Sequence, residues 1–247
     1  MRNLVQWVLS FIFIVQMYVA LFVIGILWLP WALISRDGAL AACHAYCRWV
    51  VVTARLLVGL KTEIRGTPPT GEVMIAAKHQ SFFDIIVIFD AVPRGKFIMK
   101  RELIWAPVVG FYGLRIGCVP VNRGKRGVAI TKMMADVKSG AARAGQLIIY
   151  PQGTRVAPGD KRPYKPGTAA LYSQLGQPCV PVAINIGLFW PKRSMFRKRG
   201  TAVVEFLPAI EPGLPNDVFL KRLEDMVETN SNRLMAEAGF TVPGHGH

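Results

Sequence analysis

The apolar residues divide the chain into an oily front and a patterned remainder. Residues 3–35 contain no charged side chain, and residues 4–29 alone would make a helix of roughly 39 Å, longer than the roughly 30 Å hydrocarbon layer of a bilayer. This stretch is predicted to lie in lipid. Pro30 and the pair Arg36 and Asp37 end it, and Trp7, Tyr18, Trp28 and Trp31 suit interfacial anchoring. A second apolar stretch, residues 39–60, carries Arg48 and Arg55, seven apart and so on one helical face with His44. That pattern fits a helix lying along the membrane interface, and equally one packed on a globular domain with its arginines in water.

From residue 61 the apolar runs shorten and alternate with helical patterns. Strands are predicted over 73–77, 96–99, 118–121, 146–150, 180–187 and 201–207, with helices over 81–91, 125–140 and 168–175. A last helix over 216–237 places Phe219, Leu223, Met226 and Val227 on one face, as a core-covering helix would. The fold class is therefore α/β: a mixed sheet flanked by helices, preceded by an N-terminal membrane-associated helical segment. With 247 residues, one domain over 61–247 and an anchoring segment over 1–60 account for the chain. The tail, 242–247, carries two histidines separated by Gly and reads as a frayed end.

Composition narrows the partners. The formal net charge is +15 while 52% of residues are apolar; soluble nucleic-acid binders share the charge but not the oiliness, so nucleic acid is excluded. An anionic membrane surface with anionic ligands suits a chain both basic and greasy. Cys43, Cys47, Cys118 and Cys179 form no CxxC pair, which argues against a disulfide framework or zinc site and for a reducing, cytosol-facing domain. His44 lies between two of these cysteines, but its apolar helical surroundings suit packing better than a metal.

The first chemical motif is Lys78-His79-Gln80-Ser81-Phe82-Phe83-Asp84, at the junction of a predicted strand and helix. Five positions apart, His79 and Asp84 could not share a face of a regular helix. With Asp84 in the first helical turn and His79 in the loop before it, the carboxylate reaches Nδ1 and leaves Nε2 free as a base. The competing explanation is helix-start chemistry alone, since Ser81 and Asp84 have capping-box spacing. The second motif is Tyr150-Pro151-Gln152-Gly153-Thr154-Arg155, again after an apolar strand. Glycine lets backbone N–H groups converge on an anion, Thr154 adds a hydroxyl and Arg155 can clamp a phosphate, although a plain turn with a surface arginine has the same composition. Lys100 and Arg123 follow predicted strands and could point to the same sheet edge. Finally, residues 188–200 interleave Lys192, Arg193, Arg197, Lys198 and Arg199 with Phe189, Trp190 and Phe196, as a loop dipping into headgroups would, or a solvated basic hairpin.

In this order, His79-x4-Asp84, the block from Lys100 to Arg123, the Gly153-Thr154-Arg155 turn and Val180-Pro181-Val182-Ala183 resemble the glycerolipid acyltransferase family, in particular its bacterial members that act on 1-acylglycerol-3-phosphate. The resemblance spans about residues 73–186. It implies a catalytic dyad in His79 and Asp84, phosphate binding by Arg123 and Arg155 with the Gly153-Thr154 turn, and a role for Lys100 at the acceptor or the developing oxyanion. It also implies an acyltransferase catalytic domain at a cytoplasmic membrane, no metal or other cofactor, and acyl-CoA or acyl carrier protein as co-substrate. Two positions depart from the family pattern: Lys78 stands where Asn is usual, and Gln152 where Glu is usual. Gln152 would leave Arg155 without a neighbouring carboxylate, which marks it as a specificity position. No Gly-x-Ser-x-Gly elbow is present, and Cys118 and Cys179 lie in apolar strands, so direct transfer without an acyl-enzyme is expected. Two alternatives stay open: another lysolipid acceptor, such as a lyso-ornithine lipid, or a membrane lipid-binding protein without catalysis.

Overall fold

The computed structural model describes residues 2–121, 131, 135 and 144–240. The uncharged front folds as one long helix, α1 (Arg2–Leu27), followed by a short helix, α2 (Leu29–Ile34), with Pro30 in its first turn where a missing N–H costs nothing. Ser35 then caps α3 (Arg36–Thr53), its hydroxyl accepting from the Asp37 N–H at 3.1 Å. The α2–α3 corner closes tightly at Gly38, where a Cβ would sit 2.6 Å from the Trp31 carbonyl carbon.

The second apolar stretch does not remain helical to residue 60. α3 gives way to one π-helical turn, Ala54–Val58, and the chain enters a strand, β1 (Leu60–Arg65). Residues 61–65 are charged at alternate positions, with only Thr62 and Ile64 between them and little apolar surface to mark a strand; this is a sheet-edge strand, where charge is tolerated. α3 itself lies against the globular domain, with Cys47 and Val50 in the core and both His44 and Arg48 3.6 Å from the Asp90 carboxylate. Of the two possibilities for this helix, the packed one describes its contacts.

The remaining elements are β2 (Met74–Ala77), α4 (Phe83–Ala91), β3 (Gly95–Lys100), a 3₁₀ segment (Arg101–Trp105), α5 (Val109–Arg115), β4 (Val119–Val121), β5 (Gln146–Ile149), α6 (Pro166–Leu175), β6 (Cys179–Ile184), a second 3₁₀ segment (Ile186–Leu188), β7 (Gly200–Phe206) and α7 (Asn216–Glu237). Of the helix predicted over 125–140 only residues 131 and 135 are described, both helical, and the tail lies outside the described residues. Among the described residues the sheet has seven strands in the order β1-β7-β6-β2-β5-β3-β4, all neighbours parallel except β6 with β7. The sheet is thus mixed, flanked by helices on both faces.

Alternate residues of the central strands fill the two faces. Ile75, Ala77, Ile148 and Val182 pack with Phe83 and Ile88 of α4, Val50 of α3 and Phe13 of α1. Met74, Ala76, Leu147 and Ile149 pack with Tyr172 of α6 and with Phe219, Leu223 and Val227 of α7. Burying each large side chain contributes about 1.5–3 kcal/mol. The spacing read for the last helix is realised, and Phe219 stacks on Tyr172 at 3.7 Å. The core also contains part of α1, so the oily front is built into the domain's packing.

The joining loop 188–199 faces inward more than its composition suggests. Trp190 is buried, stacked on Phe83 at 4.9 Å and edge-on to Phe13 at 5.4 Å. Arg197 is buried with its guanidinium 4.1 Å over the Trp190 ring, and burial lowers its pKa to about 10. The backbone of Arg197 is held by α1: its N–H donates to Ser10 Oγ and its carbonyl accepts from Gln6 Nε2. The expectation of a loop whose aromatics all dip into headgroups is therefore corrected: Trp190 and Arg197 clamp α1 to the domain, while Arg193, Lys198 and Arg199 remain exposed.

Candidate active site

The parallel strands β6, β2, β5, β3 and β4 end at one sheet edge; the His79 motif follows β2, the Gly153 turn follows β5 and Lys100 closes β3, while Val180-Pro181-Val182-Ala183 lies within β6. After β2 the chain turns through Lys78 to Phe82 before α4 begins, so His79 lies in the loop and Asp84 in the first helical turn. His79 Nδ1 is 3.0 Å from Asp84 Oδ1. The other carboxylate oxygen accepts backbone N–H groups from Gln80 at 2.9 Å and Ser81 at 2.8 Å. Asp84 is fully buried, so these donors are what hold its charge away from water. Helix-start chemistry and histidine orientation are thus done by the same carboxylate. Ser81 does not complete a reciprocal capping box; its hydroxyl accepts from the Phe83 N–H at 3.2 Å.

The imidazole is held from its face as well. Tyr150, the first residue after β5, stacks on His79 with ring centroids 4.0 Å apart. Burial, and then the nearby Asp84 carboxylate, hold the Tyr150 hydroxyl well above the usual phenol range. With Nδ1 committed to Asp84, the nitrogen available for chemistry is Nε2. Nothing in the sequence pointed to this stack, since Tyr150 reads simply as the end of an apolar strand.

The second motif forms a tight turn. The Gly153 N–H donates to the Tyr150 carbonyl at 2.9 Å, and Gly153 has φ +69°, a left-handed conformation glycine adopts without strain. A Cβ there would also sit 2.5 Å from Lys165 Nζ. Gly153 is exposed, Thr154 and Arg155 are half-buried, and the next N–H, from Val156, donates to the His79 carbonyl at 2.8 Å. The turn and the His79 loop are therefore joined by backbone. Lys192 Nζ donates to the Arg155 carbonyl at 3.1 Å, adding a cation beside the turn.

Lys100 ends β3 and is exposed. The register puts Phe97 opposite Ile148 and Ile75 opposite the same residue, so Lys100 stands level with Lys78, two strand spacings or about 10 Å away. Arg123 lies outside the described residues. Gln152 departs from its expected position beside Arg155: its side chain is buried and its Nε2 donates to Glu228 Oε1 and the Arg162 carbonyl, each at 3.4 Å. Glu228 on α7 also receives Lys78 Nζ and the Tyr164 hydroxyl, and no local motif announced it. Burial raises the Cys118 thiol to about 11 and the Cys179 thiol further, so neither is a ready thiolate nucleophile.

The profile of a family described as Acyltransferase matches residues 61–185. The chain is 25% identical over 194 residues to a Pseudomonas aeruginosa protein named 1-acyl-sn-glycerol-3-phosphate acyltransferase, covering 78% of this chain and 76% of that one. It is 30% identical over 179 residues to the alpha form of that enzyme from Mus musculus, covering 69% of this chain but less than two thirds, 63%, of the mouse protein. The beta form from Homo sapiens is 31% identical over 184 residues, with 72% and 66% covered. Among solved structures, a Thermotoga maritima 1-acyl-sn-glycerophosphate acyltransferase superposes with a TM-score of 0.79, covering 96% of this chain and all of that one, at 20% identity. At that identity the likeness bears on the fold.

Proposed function

The chain belongs to the acyltransferase family, and on that premise we propose that it transfers a fatty acyl chain to the sn-2 hydroxyl of 1-acylglycerol-3-phosphate, giving phosphatidic acid. The observation that carries this reading is the His79–Asp84 pair, at 3.0 Å, on the same sheet edge as the Gly153–Arg155 turn. A base and an anion site side by side suit an acceptor that bears both a hydroxyl and a phosphate.

In this mechanism His79 Nε2 takes the proton of the sn-2 hydroxyl as its oxygen attacks the thioester carbonyl of acyl-CoA or acyl carrier protein. The ester C–O bond forms, the C–S bond breaks, and the imidazolium returns the proton to the leaving thiolate. Asp84 holds the tautomer and stabilises the imidazolium. Lys100 meets the developing oxyanion or the acceptor, a role its exposed position at the end of β3 permits. The N–H groups of the Gly153 turn, Thr154 and Arg155, with Arg123, bind the phosphate. No cofactor takes part, and the buried thiols of Cys118 and Cys179 offer no ready nucleophile for an acyl-enzyme.

Purified full-length chain supplied with a panel of lysolipids and acyl-CoA tests the acceptor: phosphatidic acid is the expected product. Faster acylation of a lysolipid without phosphate, such as a lyso-ornithine lipid, would overturn the assignment. Arg155→Ala is expected to lower kcat/KM for the acceptor by roughly 10- to 100-fold, as loss of a charge-assisted pair of hydrogen bonds would. Measuring KM for each substrate separately checks it, because the donor KM should not move with the acceptor KM.

The enzyme works at a membrane. α1 is long and apolar enough to cross one. Gln6, Ser10 and Gln16, however, turn toward the domain: Gln6 to Val58 and Arg197, Ser10 to Arg197, and Gln16 to Thr53 and Trp49. Near its far end the Tyr112 hydroxyl donates to the Gly25 carbonyl at 2.6 Å. These contacts run along about 28 Å of helix. An upright span would carry the packed domain into the bilayer with it. The reading that follows is a helix lying in one leaflet, its exposed face of Leu4, Trp7, Val8, Phe11, Val15 and Phe22 in lipid, with exposed Arg193 and Lys198 near anionic headgroups. The cytoplasmic face of the inner membrane suits this arrangement, since the acyl donors and reduced thiols are found there.

A further inference from the structure

Two buried polar side chains stand directly before the two functional turns, and one carboxylate serves both. Lys78, ahead of His79, is 1% exposed and donates Nζ to Glu228 Oε2. Gln152, ahead of Gly153, is equally buried and donates Nε2 to Glu228 Oε1, which also accepts from the Tyr164 hydroxyl at 3.1 Å. Glu228 comes from α7, which belongs to neither turn and packs on β6 and α6. A buried ammonium is costly unless paired and hydrogen-bonded, so Lys78 has a strong reason to stay on this carboxylate. The other ionisable groups around the cluster are Glu224, one turn earlier on α7, and Asp84 and Tyr150 across His79.

We propose, resting on the reading of the chain as a lysophosphatidic acid acyltransferase, that Glu228 is a positioning residue that sets the spacing between His79 and the anion-binding turn. In the acceptor, the sn-2 oxygen and the phosphate are joined through two carbons, so base and phosphate site must be held at one separation. The strand ends fix each turn on its own side. Their backbones meet at the Val156 N–H to His79 carbonyl bond, and the Lys78–Glu228–Gln152 tie, through α7, braces the two turns a second time, from the residues that precede them. The donor's thioester does not depend on that spacing, so the effect falls on the acceptor.

The test uses full-length chain in mixed lipid–detergent micelles, with phosphatidic acid formation followed while lysophosphatidic acid and acyl-CoA are varied separately. Glu228→Gln is expected to lower kcat/KM for the acceptor by roughly 100-fold, as a displaced reacting group would, through a raised acceptor KM with the donor KM unchanged. Loss of folded protein alone would lower kcat and leave both KM values in place. Because Glu228→Gln strands the Lys78 ammonium and can unfold the chain, a second variant combines Glu228→Gln with Gln152→Glu, returning a carboxylate to Lys78 from the other turn. That exchange is expected to fold and to recover kcat/KM to within about tenfold of the parent, since the two sites share one network. A folded Glu228→Gln with an unchanged acceptor KM would overturn the proposal, as would an exchange variant that is unfolded or no more active than the single change. Parent chain that forms no phosphatidic acid would instead sink the functional reading, which the variants do not address.

Discussion

His79→Ala is expected to reduce acyl transfer by up to about 10^4-fold, the full contribution of a positioned general base. The fold should survive the change. Removing the imidazole sacrifices the stack on Tyr150, which contributes about 0.5–1.5 kcal/mol. Asp84 keeps its two backbone donors, Gln80 and Ser81, so the buried carboxylate is not orphaned. Thermal unfolding of the variant within a few degrees of the parent, together with the loss of rate, is the expected pair of observations. Activity within tenfold of the parent would remove His79 from the mechanism.

Asp84→Asn has a comparable expected effect for a different reason. The amide oxygen can still accept from Gln80 and Ser81, so the start of α4 stays capped. The amide N–H₂ then faces Nδ1 of His79 and pairs with it only as a donor, which moves the imidazole proton to Nε2 and removes the lone pair that would take the hydroxyl proton. The cost of such a tautomer error is on the order of 10^4 in kcat where a buried carboxylate orients a catalytic histidine. The stability cost should stay at about 1–3 kcal/mol, the loss of a charged hydrogen-bond acceptor. This variant also separates the two explanations of the carboxylate. If Asp84 served only the helix start, Asp84→Asn would be folded and nearly as active as the parent.

Much of this site could be read from the chain because its parts are local. The His79 loop and the Asp84 turn lie within six residues, and a strand-to-helix junction is enough to bring them together. The last helix was equally legible, since the spacing of Phe219, Leu223 and Val227 is the burial pattern itself. What escaped was decided by distant contacts. β1 carries Lys61, Glu63 and Arg65, and only its pairing with β7 makes it a strand. The loop 188–199 was misjudged because interleaved cations and aromatics do not say which face is covered; α1 covers Trp190 and Arg197. Gln152 is two residues from Thr154 in sequence, yet its side chain lies under the turn, against a carboxylate 76 residues further along the chain. The two positions that depart from the family pattern, Lys78 and Gln152, meet on Glu228, and no reading of either motif by itself could have joined them.

The central claim is that His79 activates the acceptor hydroxyl for direct attack on the thioester. Thiol release from acyl-CoA, followed in real time with and without lysophosphatidic acid, measures this most directly. The account predicts that release needs the acceptor, matches phosphatidic acid formation mole for mole, and disappears in His79→Ala. A burst of thiol without acceptor, or release by His79→Ala at the parent rate, would contradict it.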